Sequence, residues 1–217
     1  MPTQPCRGLL LDFGSVITRS FFETRSALEA SLGIPLGSLT WTGPFGNPPD
    51  LLWQRMLANE LSERDYWDCR AREVGELIGE HWTIQEFCRR YNLLPLAGVL
   101  RPETRLLVAD AKRAGRRVGI LTNELELFHG REWLDTIDLL KEMDALVDAT
   151  HTKILKPDPR AYAAAAAALR LSAHHIVFID DQLKNARGAA AAGMHSLHLD
   201  ITDPTGALHA ARVLLDL

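Results

Sequence analysis

Cysteine is scarce: three of 217 residues, Cys6, Cys69 and Cys88, with no CxxC pair among them. An odd, scattered set argues for free thiols in a reducing compartment over a disulfide framework. Long apolar runs are missing too, and none reaches the length that spans a bilayer. The opening stretch MPTQPCRGLLLDFG has a short apolar run that ends in an acid, with no small-residue cleavage site behind it. It does not read as a secretory leader. Basic blocks are also lacking. Lys and Arg number 24 against 28 Asp and Glu, a net charge of −4, and no cluster marks a nucleic-acid footprint. These absences lead to the expectation of a cytoplasmic protein with neither nucleic-acid nor membrane partners. Oligomeric state is left open.

What is present is ordinary for a globular chain, with 47% hydrophobic and 24% charged residues. The length suits one well-buried domain with an insertion, or two small ones. Five short runs are apolar on both faces, as buried parallel strands are: 8–13, 117–122, 144–149, 175–180 and 195–199. Helical stretches lie between most of them. RPETRLLVADAKRAG has Pro102 in its first turn and stops at Gly115; QLKNARGAAAAG stops at Gly193. The alanine-rich DPRAYAAAAAALRL is a strong helix former that packs close to a sheet. The alternation predicts an α/β fold, a doubly wound parallel sheet.

Between 17 and 100 the alternation stops and no good strand appears. Ten of the fifteen Phe, Trp and Tyr residues fall there. Ser62 starts one amphipathic helix, and Thr83 with Glu86 has the spacing of a capping box before another. The reading is a helical cap, 17–100, inserted after the first strand of a core made of 1–16 and 101–217. Trp53, Trp67, Trp82 and Phe87 are expected in the cap's own core. Trp41 and Phe45 sit in the Gly- and Pro-rich loop 41–50, and are expected to line a pocket.

Ligands of open parallel sheets bind beyond the carboxyl ends of the strands. Asp12 ends the first strand, Thr122 and Asn123 the second, and Asp180 and Asp181 the fourth; Lys156 follows the third and Asn185 lies one turn beyond Asp181. Three clustered carboxylates repel unless a cation sits among them. A hard divalent ion with oxygen ligands resolves this, and Mg²⁺ is the usual choice beside a phosphate.

With DFGSV (12–16), LTN (121–123), KPDP (156–159) and IDDQLKN (179–185) in this order, the chain resembles the haloacid dehalogenase superfamily of aspartate-nucleophile hydrolases over essentially its whole length. The resemblance implies a small phosphorylated molecule as substrate and Mg²⁺ as cofactor. It makes Asp12 the nucleophile and a Mg²⁺ ligand. Thr122 would bond the phosphoryl oxygens with Asn123 beside it, and Lys156 would hold phosphoryl group and Asp12 in register. Asp181 would bind the metal directly with Asp180 assisting, and Ser15 would offer its N–H to phosphate.

The departure is Gly14, where phosphatases of this superfamily usually carry the aspartate that protonates the leaving group. The metal contact at that position is made by the backbone carbonyl, which glycine keeps. The leading reading is therefore a Mg²⁺-dependent phosphatase. The alternatives are hydrolysis at carbon, as in the dehalogenases, and a non-catalytic domain that binds a phosphorylated ligand. His151, His129 and Trp133 are read as structural or solvated.

Overall fold

The computed structural model describes residues 5–46, 50–58 and 60–217. Residues 47–49 of the 41–50 loop, and the first four residues, lie outside them. The chain forms two compact units. One comprises 1–19, 100–126 and 130–217; the other comprises 20–99 and 127–129.

The first unit is built on five strands: β1 (Gly8–Leu11), β2 (Arg117–Thr122), β3 (Ala145–Asp148), β4 (Ile176–Asp180) and β5 (His195–His198). All neighbours pair in parallel, in the order β3-β2-β1-β4-β5. Each expected strand is present, β2 over its full expected span and the other four trimmed at one or both ends. The two central strands show why their sequence lacks alternation: Leu9, Leu10, Leu11 and Ile176 to Ile179 are all fully buried. Each such side chain contributes about 1.5–3 kcal/mol by leaving water.

Leu10, Leu121 and Phe178 face the helix Pro159–Leu169 through Tyr162, Ala165 and Leu169. The helix Leu183–Ala191 lies beside it against β4 and β5. Gly188 permits this neighbourhood, since a Cβ there would come within 2.6 Å of the Tyr162 hydroxyl oxygen. The opposite face is covered by the helices Pro102–Arg113 and Pro204–Leu215, which pack on each other and on the sheet. Ile17 to Arg19 belong with this unit: Thr18 bridges Leu100, and the Ile17 carbonyl accepts the Arg101 N–H at 2.9 Å.

The second unit is helical, with Arg25–Leu32, Leu51–Leu57, Glu63–Leu77, Ile84–Tyr91 and Leu96–Val99. Ser62 caps its helix by accepting the Asp65 N–H. Thr83 likewise accepts the Glu86 N–H, but the Glu86 carboxylate turns to Arg89 and Arg90 at 2.7 Å instead of closing the box. Charge-assisted bonds outcompete the return bond to a backbone N–H. Phe21, Phe22, Trp41, Trp53, Tyr66, Trp67, Phe87 and Tyr91 form the core, ring centroids 4.5–6.5 Å apart. Trp41 is thus a core side chain at 4% exposure, although it also walls a cleft of about 320 Å³ with Leu39, Glu73 and Glu76. Phe45 is exposed. Buried Asp50 joins the pieces, accepting bonds from Arg70 and Tyr66 at 2.5 and 3.0 Å and capping Leu51–Leu57.

The three cysteines are unpaired thiols. Among the described residues no helix is long and apolar enough to cross a membrane.

Candidate active site

Because every strand runs the same way, their carboxyl ends share one edge. Asp12 follows β1 directly, and its N–H bonds the Ile179 carbonyl at 2.9 Å, extending the ladder by one step. The residue is 8% exposed. Oδ1 accepts the Phe13 N–H at 2.7 Å and the Lys156 ammonium at 2.9 Å. Oδ2 has no hydrogen-bond partner among the described residues.

The Lys156 Nζ also reaches Asp180 Oδ2 at 2.6 Å, and both side chains are buried, at 1% and 0% exposure. The other Asp180 oxygen accepts the Gln182 N–H at 2.8 Å and the Asn185 amide at 3.2 Å. Tyr162 in turn donates to the Asn185 carbonyl at 2.8 Å. Such buried ion pairs seldom favour folding over an apolar core, because desolvation offsets their attraction. Their place at a strand edge points to chemistry.

Burial pushes the Asp12 carboxyl up to about 7, with Lys156 pulling it down and Asp180 pushing it further up. Burial alone would lower the Lys156 pKa, but Asp12 and Asp180 together raise it above its ordinary value, so it stays charged. Oxygens of Asp12, Asp180 and Asp181 converge within 4.8 Å of one another. This is an all-oxygen donor set with more negative charge than one ammonium neutralises. It fits a hard divalent cation such as Mg²⁺.

The loop after Asp12 is held tightly. Ser15 carries the left-handed backbone, at φ 60°, and the Gly14 carbonyl accepts the Val16 N–H at 2.7 Å around it. One lone pair of that carbonyl remains for a metal. Gly14 does not need glycine's conformational freedom, and a Cβ there would meet nothing within 4 Å. The Ser15 N–H, expected to face phosphate, donates instead to Thr18 Oγ1 at 3.2 Å. Arg101 binds the Ser15 carbonyl at 3.0 Å, and Thr104 the Val16 carbonyl at 2.7 Å.

Thr122 ends β2, buried, its hydroxyl without a hydrogen-bond partner among the described residues. Asn123 departs from expectation: its side chain grips the Lys156 main chain, accepting the N–H at 2.9 Å and donating to the carbonyl at 3.3 Å. His151 is exposed and faces Glu126 at 3.1 Å. Trp133 packs edge-on against Phe13, with centroids 6.2 Å apart. His129 bonds Asn92 Oδ1 at 2.8 Å inside the helical unit. One residue escaped the sequence reading. Asp148 ends β3 and accepts the N–H groups of Leu125, Glu126 and Thr150. Its strand-end place, the same as that of Asp12, Thr122 and Asp180, was the available signal.

A family model described as haloacid dehalogenase-like hydrolase matches residues 7–193. The chain is 36% identical over 104 residues to a protein named phosphatase MT3486 of Mycobacterium tuberculosis (strain CDC 1551 / Oshkosh), covering 48% of each. It is 28% identical over 193 residues to a phosphoglycolate phosphatase of Cereibacter sphaeroides, covering 86% of this chain and 82% of that one. The chain spans less than two thirds of the length of the first three curated relatives it matches. In fold it is similar to the Bacillus subtilis protein YfnB, solved bound to magnesium, with a TM-score of 0.70 and 17% identity over 99% of this chain and all of that one.

Proposed function

The chain belongs to the haloacid dehalogenase-like hydrolases, and from that premise we propose that it is a Mg²⁺-dependent phosphomonoesterase acting on small phosphorylated molecules. One observation carries the reading: a buried ammonium is shared by Asp12 and Asp180 while a third carboxylate, Asp181, converges on the same point.

Asp12 acts through Oδ2, the oxygen that the protein leaves open. It attacks phosphorus, the bond to the leaving oxygen breaks, and an aspartyl phosphate forms. Water then attacks phosphorus, releasing phosphate and restoring the carboxylate. Lys156 fixes Oδ1, so that the reacting oxygen has one direction, and places positive charge beside the phosphoryl oxygens. The Thr122 hydroxyl donates to one of them. Asp12, Asp180 and Asp181 would hold Mg²⁺, which supplies charge neutralisation to a dianion entering an acidic site. Hydrolysis at carbon without a metal has no use for Asp181 beside the other two acids. The deciding experiment is a screen of aryl, acyl and sugar phosphates with and without Mg²⁺. Phosphate release abolished by EDTA is expected; turnover that persists in EDTA overturns the reading.

Asp181→Ala removes one anionic ligand and should act through metal affinity. The Mg²⁺ concentration for half-maximal rate is expected to rise about 10-fold or more, with partial recovery at saturating Mg²⁺. A loss independent of Mg²⁺ would show that Asp181 is not a ligand.

Gly14 leaves no acid at that position for a departing alkoxide. General acid catalysis contributes about 10²–10⁴-fold, so kcat/KM is expected to fall steeply with leaving-group basicity across a series of phosphate esters. Gly14→Asp should flatten that slope, raising alkyl over aryl phosphates by about 10-fold or more. The open space at Gly14 and its ordinary backbone make the substitution sterically mild. Single-turnover rates check it: a flat wild-type profile in the chemical step means that a proton donor arrives from another residue.

A further inference from the structure

We propose that Asn123 and Asp148 are positioning residues for Lys156, with Asn123 gripping the lysine's main chain instead of the substrate. The activity part of this rests on the phosphomonoesterase reading; the geometric part does not.

A lysine side chain has enough rotatable bonds that burying its ammonium does not by itself fix it. Its main chain must be held as well. The approach to Lys156 offers little hold. Residues 151–153 and Leu155 are exposed, and Lys153 takes a left-handed backbone at φ 58°. On its own side the segment is held through Ile154, which packs against the core two residues before Lys156; that leaves the main chain of Lys156 itself. It is anchored from across the strand edge, where one carboxamide occupies both the N–H and the carbonyl of Lys156, at 2.9 and 3.3 Å. With its oxygen and one of its two N–H groups engaged, the Asn123 amide is oriented by the lysine's main chain.

Asn123 must itself be held, because it opens a turn in which Glu124 is left-handed, at φ 57°. Asp148 supplies the hold. Its Oδ1 accepts the Leu125 N–H at 3.2 Å and the Thr150 N–H at 2.8 Å, and its Oδ2 accepts the Glu126 N–H at 2.8 Å. One buried carboxylate thus ties the turn that carries Asn123 to the start of the segment that carries Lys156. Register already sets Thr122 opposite Asp148 across β2 and β3. The two residues close a loop of bonds: Asp148 to the turn, Asn123 to the Lys156 main chain, and Lys156 to Asp12 and Asp180.

The test uses Asn123→Ala and Asp148→Asn, each alone and in a Lys156→Met background. Asp148→Asn puts an NH₂ where an acceptor faces the N–H groups of the turn. Two readouts are taken in Mg²⁺: single-turnover kinetics on an aryl phosphate, and the ¹⁵N NMR signal of the buried Lys156 ammonium, assigned by its loss in Lys156→Met. Asn123→Ala is expected to lower kcat about 10–100-fold with KM changed less than about 2-fold, the scale of lost support around a reacting group. Asp148→Asn should lower it about 3–10-fold on the same basis. In the Lys156→Met background both effects should shrink below about 2-fold, because they act through the missing lysine. The ammonium signal should shift or broaden in both single variants. A raised KM at unchanged kcat in Asn123→Ala would mark direct substrate contact and overturn the proposal. So would equal losses in both backgrounds, or an ammonium signal unmoved from wild type. Should wild type release no phosphate from aryl esters, the functional reading fails while the NMR signal still decides this one.

Discussion

Asp12→Asn abolishes turnover, by at least about 10⁴-fold, the scale on which an enzyme loses its nucleophile, and leaves the fold intact. The amide nitrogen is a poor nucleophile and a poor ligand for a hard cation. The substitution also removes a buried charge that Asp180 opposes, so the metal-free protein should lose little stability. Added Mg²⁺ provides the second readout. A ligand that binds only the folded state stabilises it, by about 2.7 kcal/mol at a hundred times its Kd. The thermal midpoint should rise with Mg²⁺ in wild type and barely move in Asp12→Asn. Acid-quenched wild-type reactions should carry a phosphoryl label on Asp12. Turnover retained in Asp12→Asn, freed of deamidated protein, would falsify the covalent route.

Lys156→Met has the next largest effect and strikes activity and stability together. Among the described residues, the ammonium is the one cation paired with both Asp12 and Asp180. Its removal from the phosphoryl group should cost about 10²–10³-fold in kcat, as loss of one preorganised donor does. Removing one partner of a buried pair typically costs about 3–5 kcal/mol, and here two carboxylates are left facing each other. The dependence on pH has a definite sign. In the metal-free wild type burial pushes the Asp12 carboxyl up to about 7, above the value of about 3.9 in an unfolded chain. The folded state therefore holds a proton that the unfolded state has released, and stability falls as pH rises from 4 through 7. Without Lys156 the Asp12 pKa climbs further, so that fall should become steeper and extend to higher pH. Mg²⁺ should reverse much of it. Thermal unfolding in EDTA and in Mg²⁺, from pH 5 to 8, checks this; a midpoint unaffected by pH in the EDTA series would mean that burial does not raise the Asp12 pKa as described.

The inner strands β2, β1 and β4 were legible in the sequence because they are buried on both faces; β3 and β5, at the sheet edges, are partly exposed, against the expectation of five buried runs, because each has a neighbour on one side only. A run such as GLLL has no polar position before the acid that ends it, and five short runs separated by helices allow little besides a parallel sheet. The parallel direction then carries Asp12, Thr122 and Asp180 to one edge. Helix starts were legible where one side chain caps the backbone locally, as at Ser62 and Thr83. The second half of the Thr83 box failed because Arg89 and Arg90 compete for Glu86, a matter of side-chain geometry.

What the sequence could not supply was the direction of each polar side chain at that shared edge. Asn123 stands beside Thr122 in sequence, yet its amide turns to the Lys156 main chain, 33 residues away. Ser15 offers an N–H that Thr18 has already taken. Asp148 reads as one more acid in a strand until its oxygens are seen to collect three N–H groups from two segments. Periodicity and strand ends are local properties of the chain, set by which residues must leave water. The partner of a hydrogen bond is settled only when distant segments meet, because a bond of under about 3.3 Å depends on where both backbones have already been placed.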